Sequence, residues 1–237
     1  FCFLCTHAML HYGYVKQKFK DLQSCAPSEV SKQCLAILET FNFLRKAEQK
    51  EFAESFYKWA ELHAAQKPLL FCYAKFTLAF SLFYSEQYEK AFPILLETQN
   101  MFAEQGDFNA AAVCLTVQGS IYRTFGNVDL ALKAMWAAHE QLSKAPLFQH
   151  FFLASSINLG RTYFDTKHYD EAIAPFKNAL ELAEPKEKNY WTIYALHGLG
   201  KVYLMQKKFP EAKEYLEKAM VTAEKFNHPL SVCNSLS

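Results

Sequence analysis

Four stretches of this chain carry the same residue classes at the same five offsets, and no other feature limits the possible folds so tightly. Counting from Gly160, position +3 is Tyr163, +12 is Ala172, +16 is Phe176 and +19 is Ala179. The same offsets from Gly200 give Tyr203, Ala212, Leu216 and Ala219, and from Gly119 they give Tyr122, Ala131, Met135 and Ala138. From Ala79 they give Leu82, Ala91, Leu95 and Thr98. The anchors are therefore spaced by 40, 41 and 40 residues. Self-similarity at a period of about 20–50 residues marks a chain built from stacked supersecondary units.

The offsets also say what each unit is. An anchor and a ring three residues later share one face of a helix. Small, large and small residues at +12, +16 and +19 share one face of a second helix. Small residues at the contact let two antiparallel helices approach closely, and the large ones fill the space against the next pair. Short polar segments divide the helices: Ser85-Glu86-Gln87, Gly126-Asn127, Thr166-Lys167-His168 and Gln206-Lys207-Lys208. Pro210 suits a helix start, with Glu211 behind it in the first turn. Pro93 and Pro175 lie later and are expected to bend their helices or loosen the starts. The pattern predicts an all-α, right-handed solenoid of antiparallel helix pairs over residues 1–237. Its units are an N-terminal helix of a truncated unit (1–27), a degenerate repeat (28–66), repeats at 69–106, 107–146, 147–186 and 187–228, and the start of another at 229–237. In the degenerate repeat, helices near 28–45 and 47–65 place Ala53, Tyr57 and Ala60 in the corresponding slots.

Leu159-Gly160-x-x-Tyr163 followed by Ala172, Phe176, Ala179 and Pro185, with the counterparts from Leu199 and Gln118, resembles the tetratricopeptide repeat (TPR) family. The likeness extends over residues 69–228 and is weakest at Ala79. This chain departs from the family in two ways. Its period is near 40 where the family's is about 34, and Ser156 and Leu196 stand where the family's first helix carries tryptophan. The longer period resembles the extended repeats of TPR proteins that scaffold or sense. Both ends read as cut within an array: His228-Pro229-Leu230-Ser231 already opens a further helix.

Composition narrows the function. Lys plus Arg total 25 against 24 Asp plus Glu, a formal charge of +1, which argues against a nucleic-acid glove or a polybasic membrane anchor. No apolar run approaches a membrane span. Seven cysteines, odd in number and scattered, fit the reduced thiols of a cytoplasmic protein better than a disulfide framework. Cys2-x-x-Cys5 with His7 and His11 invites a metal, but no second cysteine pair follows and no metal is expected. Gly198-Leu199-Gly200 lacks the preceding strand and the third glycine of a phosphate cradle. No nucleophile motif, Walker sequence or clustered acid pair is present, so neither enzyme activity nor a cofactor is expected.

The resemblance implies a concave face built from first-helix residues three before the anchor and one or four after it, which family members use to hold peptides. Those positions are Phe76, Phe80 and Phe83, then Thr116, Ser120 and Arg123, then Ile157, Arg161 and Phe164, then His197, Lys201 and Leu204. Tyr73 and Tyr84 extend the aromatic end. A groove running from rings to cations suits an extended peptide with apolar anchors and acidic groups. Asn158 matches the middle asparagine of the family's clamp for acidic chaperone tails. Thr116, Ser120, Tyr194 and Gly198 replace its other members, so that role is disfavoured. The expected function is a protein- or peptide-binding scaffold or sensor arm of a larger intracellular signalling protein, of bacterial type, whose output domain lies outside this sequence. A helical-repeat RNA binder and a self-associating array are the alternatives. The 22 Phe and 13 Tyr exceed what the repeat slots need, most of all between Phe71 and Tyr84.

Overall fold

A computed structural model describes residues 2–41, 44, 46–183 and 189–225. Pro185 and the expected repeat start at 229–237 lie outside the described residues. Among those described there are helices and no strands. In order they are α1 (Cys2–Ser24), α2 (Val30–Phe41), α3 (Lys46–Leu62), α4 (Pro68–Tyr84), α5 (Tyr88–Glu104) and α6 (Phe108–Thr124). They continue as α7 (Val128–Ser143), α8 (Gln149–Asp165), α9 (Tyr169–Ala183), α10 (Asn189–Met205) and α11 (Phe209–Lys225). Where residues 1–237 are expected to form one array, internal contacts group them into two compact units, Phe1–Ile121 and Tyr122–Ser237. The second unit opens in the last turn of α6.

Five of the turns share one design. Residues Glu86, Gly106, Gly126, Lys167 and Lys207 all sit at positive φ between 60° and 75°. In each, the N–H of that residue bonds the carbonyl three back, and the next N–H bonds the carbonyl five back: Gly126 to Arg123 and Asn127 to Tyr122, Lys207 to Leu204 and Lys208 to Tyr203. This is the Schellman closure, which satisfies the orphan carbonyls of a helix end. Two of the five carry glycine, the residue that adopts this conformation without penalty. Pro68 opens α4, Pro210 is the second residue of α11, and Pro93 and Pro175 lie inside α5 and α9, where each omits one rung of the N–H ladder.

In the first unit, α4 packs against α2, α3 and α5. Its core is built from rings. Phe80 lies 5.9 Å from Phe41 and 5.3 Å from Phe76; Phe52 meets both Phe41 and Phe56; and Phe19 reaches Phe52, Phe56 and Trp59. Buried side chains in such contact contribute about 1.5–3 kcal/mol each through area alone, with edge-to-face geometry adding to that. One carboxylate ties three helices. Asp107 caps α6 by accepting from the Ala110 N–H at 3.0 Å, and it accepts from Tyr73 of α4 at 2.9 Å and Ser31 of α2 at 3.1 Å. Gln49 of α3 donates to the Phe41 carbonyl at the end of α2.

In the second unit α8 packs on α7, α9 and α10, and α10 packs on α9 and α11. Here the repeat offsets are core positions: Ala131, Met135, Ala138, Ala172, Phe176, Ala179, Ala212 and Ala219 are all buried. The anchors are glycine for a measurable reason. A Cβ on Gly160 would stand 2.9 Å from the Phe176 ring, one on Gly198 2.5 Å from the same ring, and one on Gly200 2.6 Å from Leu216. The ring of Phe176 is thus flanked by glycines of two successive first helices, α8 and α10.

Candidate functional site

The helical register of α8 places Ile157, Arg161, Phe164 and Asp165 on one face. That of α10 aligns Tyr190, Tyr194, His197, Lys201 and Leu204. Arg123, from the last turn of α6, joins them in the same unit by donating to Asp165 at 2.8 Å. The Lys201 ammonium stands 5.1 Å from the centre of the Phe164 ring, a cation–π contact, and Phe164 in turn meets Tyr169 across the turn. Tyr190 and Tyr194 lie ring to ring at 4.6 Å.

Three permanent cations therefore share this face with one carboxylate. Among the described residues no carboxylate lies within ion-pairing distance of Arg161 or Lys201. Burial and the neighbouring Arg123 push the Arg161 guanidinium below its usual range, with Asp165 opposing. Lys201 is lowered by burial and by Arg161, again against Asp165. His197 is lowered by burial first, then by Lys201 and Arg161, which keeps it neutral at pH 7. The Arg123 Nε is buried without a hydrogen-bond partner although its outer nitrogen is paired. Elsewhere in this unit the pattern is ordinary: Lys144–Glu140, Lys213–Glu217 and Lys218–Glu214 pair four residues apart on exposed surface.

The expected site residues divide by burial. Arg123, Asn158, Arg161, Phe164 and Lys201 are half-buried, and Leu204 is exposed. His197 and Ile157 are buried, at the floor of the same face. In the first unit Tyr73, Phe76 and Phe80 are closed inside the core, which withdraws them from contact with a partner. The cause is non-local: α2 brings Phe41 over Phe80, and Phe102 packs edge-on to Tyr73. Phe83 is half-buried and packs on Phe80, Tyr84 and the first residue of the next helix, Tyr88. The ring excess between Phe71 and Tyr84 is thus mostly packing. Asp165, Tyr190 and Tyr194 escaped the sequence pattern as members of the site. The signal was present for Asp165, four residues after Arg161 on a helix.

A Ser–His contact also occurs in the second unit, with Ser156 Oγ and His139 Nδ1 3.2 Å apart. Ser156 donates to the Phe152 carbonyl, and the imidazole is walled by the Phe152 and Trp136 rings. Burial lowers its pKa. Cys2-x-x-Cys5 lies on α1, and no group of three or more His, Cys, Asp or Glu among the described residues is arranged to hold a metal. Cys25, Cys34, Cys72 and Cys114 are free thiols. Among the described residues no helix is long and apolar enough to cross a membrane.

Residues 152–225, which supply most of this face, match the family model described as tetratricopeptide repeat. They are tetratricopeptide repeats. Beyond that segment the likeness is one of fold. BtubC (BKLC) from P. vanneervenii superposes with a TM-score of 0.68 over 93% of this chain and 92% of its own, at 17% identity. A kinesin light chain-type protein of Podosopora anserina with nearly identical TPR-like repeats gives 0.57 over 85% and 98%, also at 17% identity. The apo form of RapI gives 0.53 over 92% and 98%, at 11% identity. No curated protein sequence matches the chain. The chain is an all-α helical-repeat solenoid of TPR-like fold, a scaffold of the kind that commonly serves protein interaction.

Proposed function

We propose that this TPR-like scaffold binds an extended peptide segment of a protein partner on the α8–α10 face, and that it has no catalysis of its own. The observation that carries the reading is the half-exposed row Arg161, Phe164, Lys201 and Leu204, where cations alternate with apolar groups. Such a row offers anchors to apolar side chains and counter-charge to acidic ones. Arg123 and Asn158 extend it toward α6 and α7. The rings of the first unit stabilise the scaffold and contribute no direct contacts. The partner is a protein carrying apolar and acidic groups, met in the cytoplasm by a repeat arm of a larger signalling protein with an output domain. Binding would order the face and shift the population that such a domain reads.

Selection of a random peptide display library on the whole chain tests this. Enriched peptides should slow amide hydrogen exchange in α8 and α10 and leave α2 and α3 unchanged. Enriched peptides that protect only α2 to α4 would defeat the reading. Retention on single-stranded RNA that weakens steeply with salt and exceeds any peptide binding would favour the RNA alternative instead.

A further inference from the structure

On the peptide reading above, we propose that Arg123, Arg161 and Lys201 form a receptor for a doubly charged oxyanion carried by the bound peptide, either one phosphoryl group or two neighbouring carboxylates. The argument begins with charge. Three cations face one carboxylate, and Asp165 is engaged by Arg123 at 2.8 Å, so two positive charges are left without a counter-charge on this face. Like charges gathered on a half-buried surface repel and are poorly hydrated, which raises the free energy of the empty face. Solvent-exposed lysines escape this by spreading apart. These cannot, because helix spacing fixes Arg161 beside Asp165, and the Phe164 ring holds the Lys201 ammonium at 5.1 Å.

The donors also suit an oxyanion. Arg161 presents its guanidinium fork with no ion-pair partner among the described residues, and Arg123 Nε is a buried donor left without an acceptor. A planar fork matches phosphate or carboxylate oxygens bidentately, whereas the lysine supplies a point charge. A phosphomonoester carries about −1.5 to −2 at pH 7 and so balances the surplus. A single carboxylate would leave one cation unmatched. The arrangement differs from the acidic-tail clamp of the family: Asn158 is the one clamp residue present, and Thr116, Ser120, Tyr194 and Gly198 occupy its remaining positions. Here the cations follow the anchors instead, Arg161 after Gly160 and Lys201 after Gly200.

The test uses the whole chain with four small probes, followed through the arginine Nε–H resonances at low ionic strength. These are N-acetyl-phosphoserine amide, N-acetyl-Asp-Asp amide, N-acetyl-Asp amide and N-acetyl-serine amide. The two dianions should saturate, each binding roughly tenfold or more tightly than the single carboxylate, and the neutral probe should not bind. Arg161→Gln and Lys201→Gln should each lose about tenfold, with thermal midpoints near that of the parent, and Lys213→Gln should change nothing. Which dianion binds more tightly names the source of the charge. Equal binding of one and two carboxylates, retention of binding in both variants, or preference for oligouridylate over phosphoserine would overturn the proposal. The library separates it from the peptide reading. Enriched peptides lacking any anionic residue, and indifferent to Arg161→Gln, would sink the oxyanion receptor and leave peptide binding standing. Dianion binding without any enriched peptide would do the reverse.

Discussion

The same three repeat positions have opposite fates in the two units. On α4 they hold Phe76, Phe80 and Phe83, of which the first two are sealed in the core. On α8 and α10 they hold Ile157, Arg161 and Phe164, then His197, Lys201 and Leu204; the first of each set is buried and the rest reach solvent at least in part. Position three before the anchor is therefore core wherever it occurs. Position one after the anchor depends on what the neighbouring first helix brings: in the first unit α2 delivers Phe41 onto Phe80, whereas in the second the equivalent place is taken by charged side chains that keep water near them. A repeat fixes register, and the side chains decide whether that register becomes core or surface.

The sharpest way to break this comparison is Phe80→Ala against Leu204→Ala. The first should cost about 3–5 kcal/mol as a core ring deletion, and the second less than about 0.5 kcal/mol as a surface change. Urea denaturation of each variant measures both, and a neutral Phe80→Ala would reopen the first unit as a binding surface. Next in size, Gly198→Ala should cost about 1–3 kcal/mol by overpacking, because the Phe176 ring that must move is also confined by Gly160. The ordinary Gly-to-Ala gain in helix propensity of about 1 kcal/mol should not rescue it. A midpoint that rises would show that the ring has room.

The two units should also differ in pH response. In the second, His139 and His197 have folded pKa values below the ordinary one. The unfolded chain then binds more protons below about pH 6.5, so stability present above that value is lost as pH falls through it. In the first, burial raises Cys34, Cys114 and Tyr73 well above their usual values, and Cys72 to about 11. There the unfolded chain releases protons first, and stability present below about pH 8.5 is lost as pH rises. Hydrogen exchange at pH 5.5, 7.5 and 9.5, corrected for intrinsic rates, should find the second unit opening first in acid and the first in alkali. The reverse order would show that other groups govern. The smallest expected effect lies in the turns. Lys167→Gly and Lys207→Gly should each raise stability by up to about 1 kcal/mol by removing the left-handed penalty, and Gly126→Ala should lower it similarly. Thermal scans of the three variants measure it.

Much of this was legible in the residues themselves. Fixed offsets from Gly160 and Gly200 named the helix pairs and their packing faces, because close helix approach needs small residues at set intervals. Gly126-Asn127 and the polar triplets named the turns. Gly106-Asp107 was less visible, since a turn between pairs was not expected to copy one within a pair. The ring core of the first unit was not legible as core, because Phe80 is covered by a residue 39 positions earlier and no local period announces that pairing. Asp107 was missed for the same reason: its partners Ser31 and Tyr73 lie 76 and 34 residues away. In the second unit the cations were identified from register, whereas the partner of Arg123, 42 residues on, needed the fold.

Phe176 gives one more consequence. Its ring fills the space left by two absent methyl groups, one on α8 and one on α10, and Arg161 directly follows the first glycine while Lys201 stands three residues after the second. The thickness of a single phenyl ring is thus the spacer between the helices that carry two of the cations. A side chain of other width there would act as a gauge change, altering which ligands span the gap without touching any group that meets them.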